Sequence, residues 1–348
     1  MMTLNIANRV IGNSQPCFII AEAGVNHNGD INLAKKLVDI ALEAGADAVK
    51  FQTFQPEALV TAGAEKAPYQ KENTGSGTQL EMLKKLELGE ENFKELARYT
   101  NGKGIIFLSS PFDTGSVDLL EKLGVPAFKI PSGEINNFPL LKYIAHKKKL
   151  VILSTGMSTL REVEEAVKVL KKEGAGGIAL LHCVTSYPAR IEDTNLKAME
   201  TLRHHFKLAV GLSDHTAGIY VPIAAAALGA CVIEKHFTID KNMPGPDHRA
   251  SLEPAELKEM VKAVREIEKA LGDGLKRPTG DEEANKKAAR RSLVARVDIP
   301  AGTVITREML DIKRPGTGIE PKYINLVIGK KTKETIKSGE VLTSSRLK

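Results

Sequence analysis

Gly211-Leu-Ser-Asp-His-Thr216, a run of mostly small or apolar residues, and then Val232-Ile-Glu-Lys-His-Phe-Thr238 form the stretch that decides the fold. Each half reads as a short buried strand, residues 208–212 and 231–235, that ends abruptly in histidine and charge, with a small-residue helix between them. Strands joined by a helix are the unit of alternating β/α folds. In such folds ligands gather at the carboxyl ends of the strands, where loops and helix N-termini converge. His215 and His236 therefore fall at two neighbouring strand ends, where they can share one divalent metal. The alternative is two separate imidazoles, each bonded to a nearby carbonyl, and the rest of the chain has to decide between them.

Working outward, strand-like runs recur at residues 18–21, 48–51, 105–108, 127–130, 151–153 and 178–181. Between them lie helical patterns such as Leu33, Leu37, Ile40, Ala41 and Ala44, or Val163, Ala166, Val167 and Leu170. Thr159 with Glu162 makes a capping box for the second of these, and Pro254 opens the last helix. Eight β/α units over about 250 residues predict an α/β fold of the closed (β/α)8 TIM-barrel type. A doubly wound open sheet competes, but no Gly-x-Gly-x-x-Gly turn follows the first strand.

The barrel is expected to occupy residues 1–272. Residues 273–287 are polar, charged and broken by Gly and Pro, and read as a linker. Residues 288–348 turn to short strands and carry a weak repeat, in which Ile299, Gly302, Val304, Thr306 and Leu310 recur as Ile336, Gly339, Val341, Thr343 and Leu347. A small β-rich domain of two similar halves follows, expected to have little core of its own and to dock on something.

The 348 residues are 42% hydrophobic and 26% charged, ordinary for a water-soluble globular protein. No apolar run approaches the ~20 residues that span a bilayer, and no secretory leader is recognisable, so a cytoplasmic location without membrane contact is expected. Cys17, Cys183 and Cys231 are too few and scattered for a disulfide framework, and read as reduced core residues. The net charge of +6 is mild, and its basic clusters lack aromatic stacking residues, which favours small anions over nucleic acid.

Polar groups follow every barrel strand. Lys50 and Lys129 are embedded in apolar strand, and alternation turns them toward the barrel mouth. Buried there alone, each would be costly, but with Ser110, Ser132, Ser154 and Ser213 they form a cradle for a phosphate. The metal candidate sits beside it. Two imidazoles as sole protein ligands leave open positions, suited to Mn²⁺ or Mg²⁺ with a phosphate-bearing substrate, Zn²⁺ being a further candidate. Glu22, Glu134 and Asp247 are the carboxylates at hand for acid–base work or hydroxyl binding. A phosphate beside a polarised carbonyl points to carbon–carbon bond formation.

These residues carry a resemblance. The runs Ile20-Ala-Glu-Ala-Gly-Val-Asn-His-Asn-Gly29, Val49-Lys-Phe-Gln-Thr53, Phe128-Lys-Ile-Pro-Ser-Gly-Glu134, Leu153-Ser-Thr-Gly-Met157, Gly211-Leu-Ser-Asp-His-Thr216, Glu234-Lys-His-Phe-Thr238 and Pro244-Gly-Pro-Asp-His248 are similar to those of the sialic acid synthase family. Lys313-Arg-Pro-Gly-Thr-Gly318 resembles that family's antifreeze-like (SAF) domain. The resemblance implies condensation of phosphoenolpyruvate with an N-acylated mannosamine-type sugar and release of phosphate. It assigns Lys50, Ser110, Lys129, Ser132, Ser154 and Ser213 to phosphoenolpyruvate, and His215 and His236 to the metal. Gln52, Glu134, Tyr187, Asp247 and Arg314 fall to the sugar, with Glu22, Glu134 and Arg314 as candidate catalytic residues. It further implies a domain-swapped homodimer in which the small domain caps the partner's barrel.

Four residues depart from the pattern of N-acetylneuraminate synthases. Thr185 replaces an Asn at the phosphate, Phe51 stands where His is frequent, and Arg290 and Arg291 stand where an aromatic residue is expected. Residues 51–54, 66–70 and 289–292 look more like the branch acting on 2,4-diacetamido-2,4,6-trideoxymannose to give N,N′-diacetyllegionaminate. N-acetylneuraminate synthesis is the alternative. Less favoured are a sugar-phosphate synthase, which would need a second phosphate site, and a non-catalytic carbohydrate-binding protein, which would not need the lysine–serine cradle.

Overall fold

A computed structural model describes residues 3–12 and 14–348, which divide into two compact units, Met1–Gly272 and Asp273–Lys348. Among the described residues no helix is long and apolar enough to cross a membrane.

The first unit opens with a hairpin, β1 (Leu4–Ile6) and β2 (Arg9–Ile11). Eight strands follow: β3 (Phe18–Gly24), β4 (Ala48–Thr53), β5 (Ile106–Pro111), β6 (Ala127–Ile130), β7 (Leu150–Ser154), β8 (Gly177–Cys183), β9 (Ala209–Asp214) and β10 (Val232–His236). They pair in parallel in the order β5-β4-β3-β10-β9-β8-β7-β6, and β5 and β6 lie side by side at the remaining seam. Helices alternate with the strands, so the first unit is a nearly closed (β/α)8 barrel. The pairing of β10 with β3 sets His236 opposite Glu22.

Side chains alternate across each strand, and the barrel uses this to separate two chemistries. Inward-facing Phe18, Ile20, Ala48, Leu108, Ala127, Ile152, Leu181 and Val232 pack with Leu4, Ile6 and Ile11 of the hairpin, which fills the amino-terminal end. One step further along the same inner rows come Glu22, Lys50, Ser110, Lys129, Ser154, Cys183 and Glu234, all buried. The outward rows pack against the helices in the larger core, where Phe51 stacks on Phe107 at 6.1 Å. Phe51 therefore stiffens the helix layer and does not face the mouth. Lys235 also lies outside the inner row, fully buried, and is held by Asp214 Oδ2 at 2.5 Å and by the Thr216 carbonyl. This ion pair ties the ends of β9 and β10 together just behind the two histidines.

His27, in the turn after β3, is buried, and its Nδ1 accepts from the Gly29 N–H at 3.0 Å. Burial pushes its pKa down to about 4. An unfolded chain protonates histidine near 6.5, so between pH 6.5 and 4 acid favours the unfolded state, by up to about 1.4 kcal/mol per pH unit for this one group. The melting temperature of His27→Gln should accordingly fall less steeply than the parent's across that window. Parallel curves would show that His27 is not a source of the acid sensitivity.

In the second unit β11 (Ser292–Ala295) pairs antiparallel with β12 (Leu310–Lys313). The repeat seen in the sequence is realised as contact, since Ile299 and Ile336 exchange backbone hydrogen bonds at 2.8 and 2.9 Å. The expectation of little core is corrected. Leu293, Ile299, Ile305, Leu310, Ile336 and Leu342 form a buried cluster within the unit. Part of the stretch read as a linker is helical, Gly280–Ala289, because Thr279 and Glu282 cap it reciprocally. Acidic residues in its first turn and Lys286 and Lys287 in its last oppose the helix dipole, although the helix buries no side chain.

Candidate active site

The inner rows end in a cavity of about 420 Å³ at the carboxyl end of the barrel. Its floor is a charged quartet. Lys50 Nζ lies 2.7 Å from Glu22 Oε2 and 3.8 Å from Glu234 Oε2, and donates to Ser110 Oγ at 2.9 Å. Lys129 Nζ lies 3.4 Å from Glu234 Oε1, which also accepts from Ser213 Oγ at 2.8 Å. Four charged side chains, each at most 4% exposed, are tolerable only because two cations face two carboxylates.

The quartet is not symmetric. Burial raises the Glu22 pKa to about 7 against the opposing pull of Lys50, with Glu234 adding to the rise. Burial also works on Glu234, but Lys129, Lys50 and the Ser213 hydroxyl together hold it below the usual carboxylate range. Lys129 is pushed down by burial, only partly offset by Glu234, whereas Glu22 and Glu234 overcome burial at Lys50 and raise it. A proton near neutrality therefore sits most readily on Glu22.

Hydroxyls ring this floor. Ser132 Oγ accepts from the Gly156 N–H at 2.9 Å, and Ser154 Oγ is buried without a hydrogen-bond partner among the described residues. A Cβ at Gly156 would fall 2.2 Å from Thr185 Oγ1 and 2.8 Å from Ser132 Oγ, so the glycine lets three strand ends converge. Glu134 is half-buried at the rim and accepts from Asn137 Nδ2 at 2.7 Å.

The two histidines stand beside the quartet with ring centroids 5.4 Å apart. His215 Nδ1–H donates to the Val184 carbonyl at 2.8 Å, which leaves the lone pair on Nε2 free. Burial, with His215 and the nearby lysines, keeps the His236 pKa well below the usual histidine range, so that ring is neutral. Its Nδ1 has no hydrogen-bond partner among the described residues and lies 4.0 Å from Asp247 Oδ2. Asp247 is buried, and burial raises its pKa to about 6.

Tyr187 packs on His215 at 4.1 Å and stacks on Tyr69 at 5.0 Å, making an aromatic wall. The opposite wall is apolar. Val25, Phe54, Met82, Leu83 and Leu86, joined by Leu59, Val60 and Phe112, form a separate hydrophobic cluster that lines the cavity. Half of these residues come from the helices Pro56–Leu59 and Gln79–Leu86, inserted between β4 and β5. Gln52, Gln70 and Gln79 supply amides between the walls.

Of the residues singled out from the sequence, Glu22, Lys50, Gln52, Ser110, Lys129, Ser132, Glu134, Ser154, Thr185, Tyr187, Ser213, His215, His236 and Asp247 line this one cavity. Arg314 belongs to the second unit, where it is exposed. Two residues were under-read. Glu234 completes the quartet, and its position two before His236 on one strand carries the signal. Cys183 was taken for core, yet it lines the cavity with Sγ 3.8 Å from His215 Nδ1. His182, its neighbour, turns away and bonds the Thr194 carbonyl at 2.6 Å.

Residues 37–276 match the NeuB family and residues 290–348 match the SAF domain. The chain belongs to the NeuB family. Among its relatives in that family is the N,N′-diacetyllegionaminic acid synthase of Campylobacter jejuni, 53% identical over 93% of this chain and 98% of the relative. The N,N′-diacetyllegionaminic acid synthase of Legionella pneumophila is 51% identical over 95% and 94%. Among solved structures, the N-acetylneuraminic acid synthetase of Leptospira borgpetersenii, crystallised with citrate, is 38% identical with a TM-score of 0.72, covering 82% of this chain and 95% of its own.

Proposed function

We propose that this NeuB-family synthase condenses phosphoenolpyruvate with 2,4-diacetamido-2,4,6-trideoxymannose, giving N,N′-diacetyllegionaminate and free phosphate. The carrying observation is the cavity's division into a cationic, hydroxyl-ringed floor and an apolar wall, in a chain 53% and 51% identical to two synthases of that name. The floor suits a phosphate and a carboxylate. Its apolar wall suits an acetamido methyl and a C6 methyl.

In this reading Lys50 and Lys129, with Ser110, Ser132, Ser154, Thr185 and Ser213, hold phosphoenolpyruvate. Arrival of its negative charge releases the lysines from sharing two carboxylates and favours a proton on Glu22. C3 of phosphoenolpyruvate forms the new bond to the aldehyde carbon of the open sugar, whose oxygen takes up a proton. Water then adds at C2, and phosphate leaves by C–O cleavage. Tyr187, Gln52, Glu134 and Asp247 orient the sugar. With the free nitrogen of each ring unprotonated, the two imidazoles fit a divalent metal, Mn²⁺ before Mg²⁺ or Zn²⁺, which would be held by His215 and His236 alone. Among the described residues no three His, Cys, Asp or Glu side chains converge to bind one. Such an ion supplies Lewis-acid polarisation of the aldehyde.

N-acetylmannosamine carries a 6-hydroxyl and a free 4-hydroxyl. Burying a hydroxyl against the wall without a partner costs about 1–3 kcal/mol. A preference of roughly ten- to a hundred-fold in kcat/KM for the diacetamido sugar is expected at saturating phosphoenolpyruvate, read by phosphate release. Preference for N-acetylmannosamine would make the chain an N-acetylneuraminate synthase instead.

A further inference from the structure

Residues 238–251, between β10 and the last barrel helix, form a loop that carries Asp247 into the cavity. Its neck is closed by backbone bonds, Leu252 N–H to the His236 carbonyl at 2.8 Å and Thr238 N–H to the Leu252 carbonyl at 2.9 Å. Backbone alone does not fix the rest. Asn26, just beyond β3, donates its amide to the Phe237 carbonyl at 2.8 Å and to Ser251 Oγ at 2.9 Å, and that hydroxyl donates to the carbonyl of Asp247 itself at 2.7 Å. Asn28 donates to the Pro244 carbonyl at 2.8 Å. That bond orients the amide, so Asn28 Oδ1 accepts from His248 Nε2–H at 3.2 Å, and His248 Nδ1 accepts from Thr238 Oγ1 at 2.6 Å. Asn73, from a third helix of the β4–β5 insertion, Pro68–Thr74, donates to the Pro246 carbonyl at 2.7 Å.

Three asparagines from two distant segments thus grip the Phe237, Pro244 and Pro246 carbonyls ahead of Asp247, and Asn26 also holds the Ser251 hydroxyl beyond it. The grip is tight at the tip. Gly245 has φ +152°, and a Cβ there would lie 2.6 Å from the His248 ring and 2.9 Å from Asn28 Oδ1. It is also not arranged for stability alone. Asn26 is buried and its Oδ1 has no partner among the described residues, a loss of about 1–3 kcal/mol that an apolar residue of similar shape would avoid.

We propose that Asn26, Asn28 and Asn73, with His248, are positioning residues that clasp the 238–251 loop and fix the Asp247 carboxylate over the histidine pair, where it receives the sugar. This rests on the sugar-site reading only in giving Asp247 a substrate to meet. The clasp touches no part of the phosphate cradle, so its effect should be confined to one substrate.

The test is a double-mutant cycle. Asn28→Ala and Asn73→Ala, both at the loop's rim, should each raise the sugar KM by about tenfold while changing the phosphoenolpyruvate KM less than twofold, as expected for a displaced contact. In an Asp247→Asn background the same substitutions should add almost nothing. Asn26→Ala should follow the pattern, and the two rim variants carry the test if it fails to fold. Equal losses in both backgrounds, or a matching rise in the phosphoenolpyruvate KM, would make the asparagines general supports and overturn the clasp. If Asp247→Asn alone leaves the sugar KM unchanged, the sugar-site assignment of Asp247 falls first, and the clasp with it.

Discussion

His215→Ala and His236→Ala should each lower turnover by about a thousandfold or more, since each would remove half of the protein's hold on the metal. Exhaustive chelation should do the same to the parent, and Mn²⁺ should restore the parent but neither variant. The two variants should differ in stability. Among the described residues His236 Nδ1 makes no hydrogen bond, so its loss breaks none at that atom, whereas His215 is the partner of the Val184 carbonyl. His215→Ala should therefore melt lower, by about 1–3 kcal/mol of stability, while His236→Ala melts close to the parent. Metal content by elemental analysis, near one ion per chain in the parent and near zero in both variants, separates lost binding from lost chemistry. Full activity in either variant would remove the metal from the reaction.

The barrel was legible because its inner rows obey one rule, period two, from the apolar end to the polar end. Ile20 to Glu22, Ala48 to Lys50, Ala127 to Lys129 and Ile152 to Ser154 are each one step along a single face. The same parity turned Phe51 away from the mouth, and it should have brought Glu234 in beside His236. Parity could not reveal the wall. Leu59, Met82 and Leu86 come from short helices inserted between β4 and β5, and their shared face is defined by the barrel they fold over. Nor could it reveal the loop contacts. Asn26 and Phe237 are 211 residues apart, and only the closure of β10 onto β3 makes them neighbours. Capping explains the surprise in the second unit, where Thr279 and Glu282 start a helix in a stretch whose composition suggested none.

The facing of two cations by two carboxylates also explains why so much charge can be buried in the barrel. Lys50 and Lys129 are held by Glu22 and Glu234 at 2.7 and 3.4 Å, so an incoming phosphate must compete with carboxylates for its cations. In the proposed reaction that competition would lower phosphate affinity and favour release of the phosphate product. The serine hydroxyls would add hydrogen bonds without adding charge, and Ser154 Oγ, which has no partner among the described residues, is free to make one.

Mixing two inactive chains, Arg314→Ala and His236→Ala, should restore activity to about a quarter of the parent's per-site value if the small domain caps a partner's barrel. The arithmetic follows from symmetry. Equal mixing with free exchange makes half of the dimers hybrids. Each hybrid has one site combining the intact barrel of the Arg314→Ala chain with the intact cap of the His236→Ala chain, while its other site carries both defects. Arg314 is exposed, and among the described residues it forms no ion pair, as expected of a guanidinium whose partner is a substrate hydroxyl or carbonyl elsewhere. Exchange must be proven independently, by co-purification of differently tagged chains. With exchange proven, activity no greater than the sum of the separate variants would mean that each chain caps itself or that Arg314 does not reach the sugar. Measuring Arg314→Ala alone tells those apart, because a residue that never reaches the site leaves the variant active, whereas a cap acting within its own chain leaves it inactive.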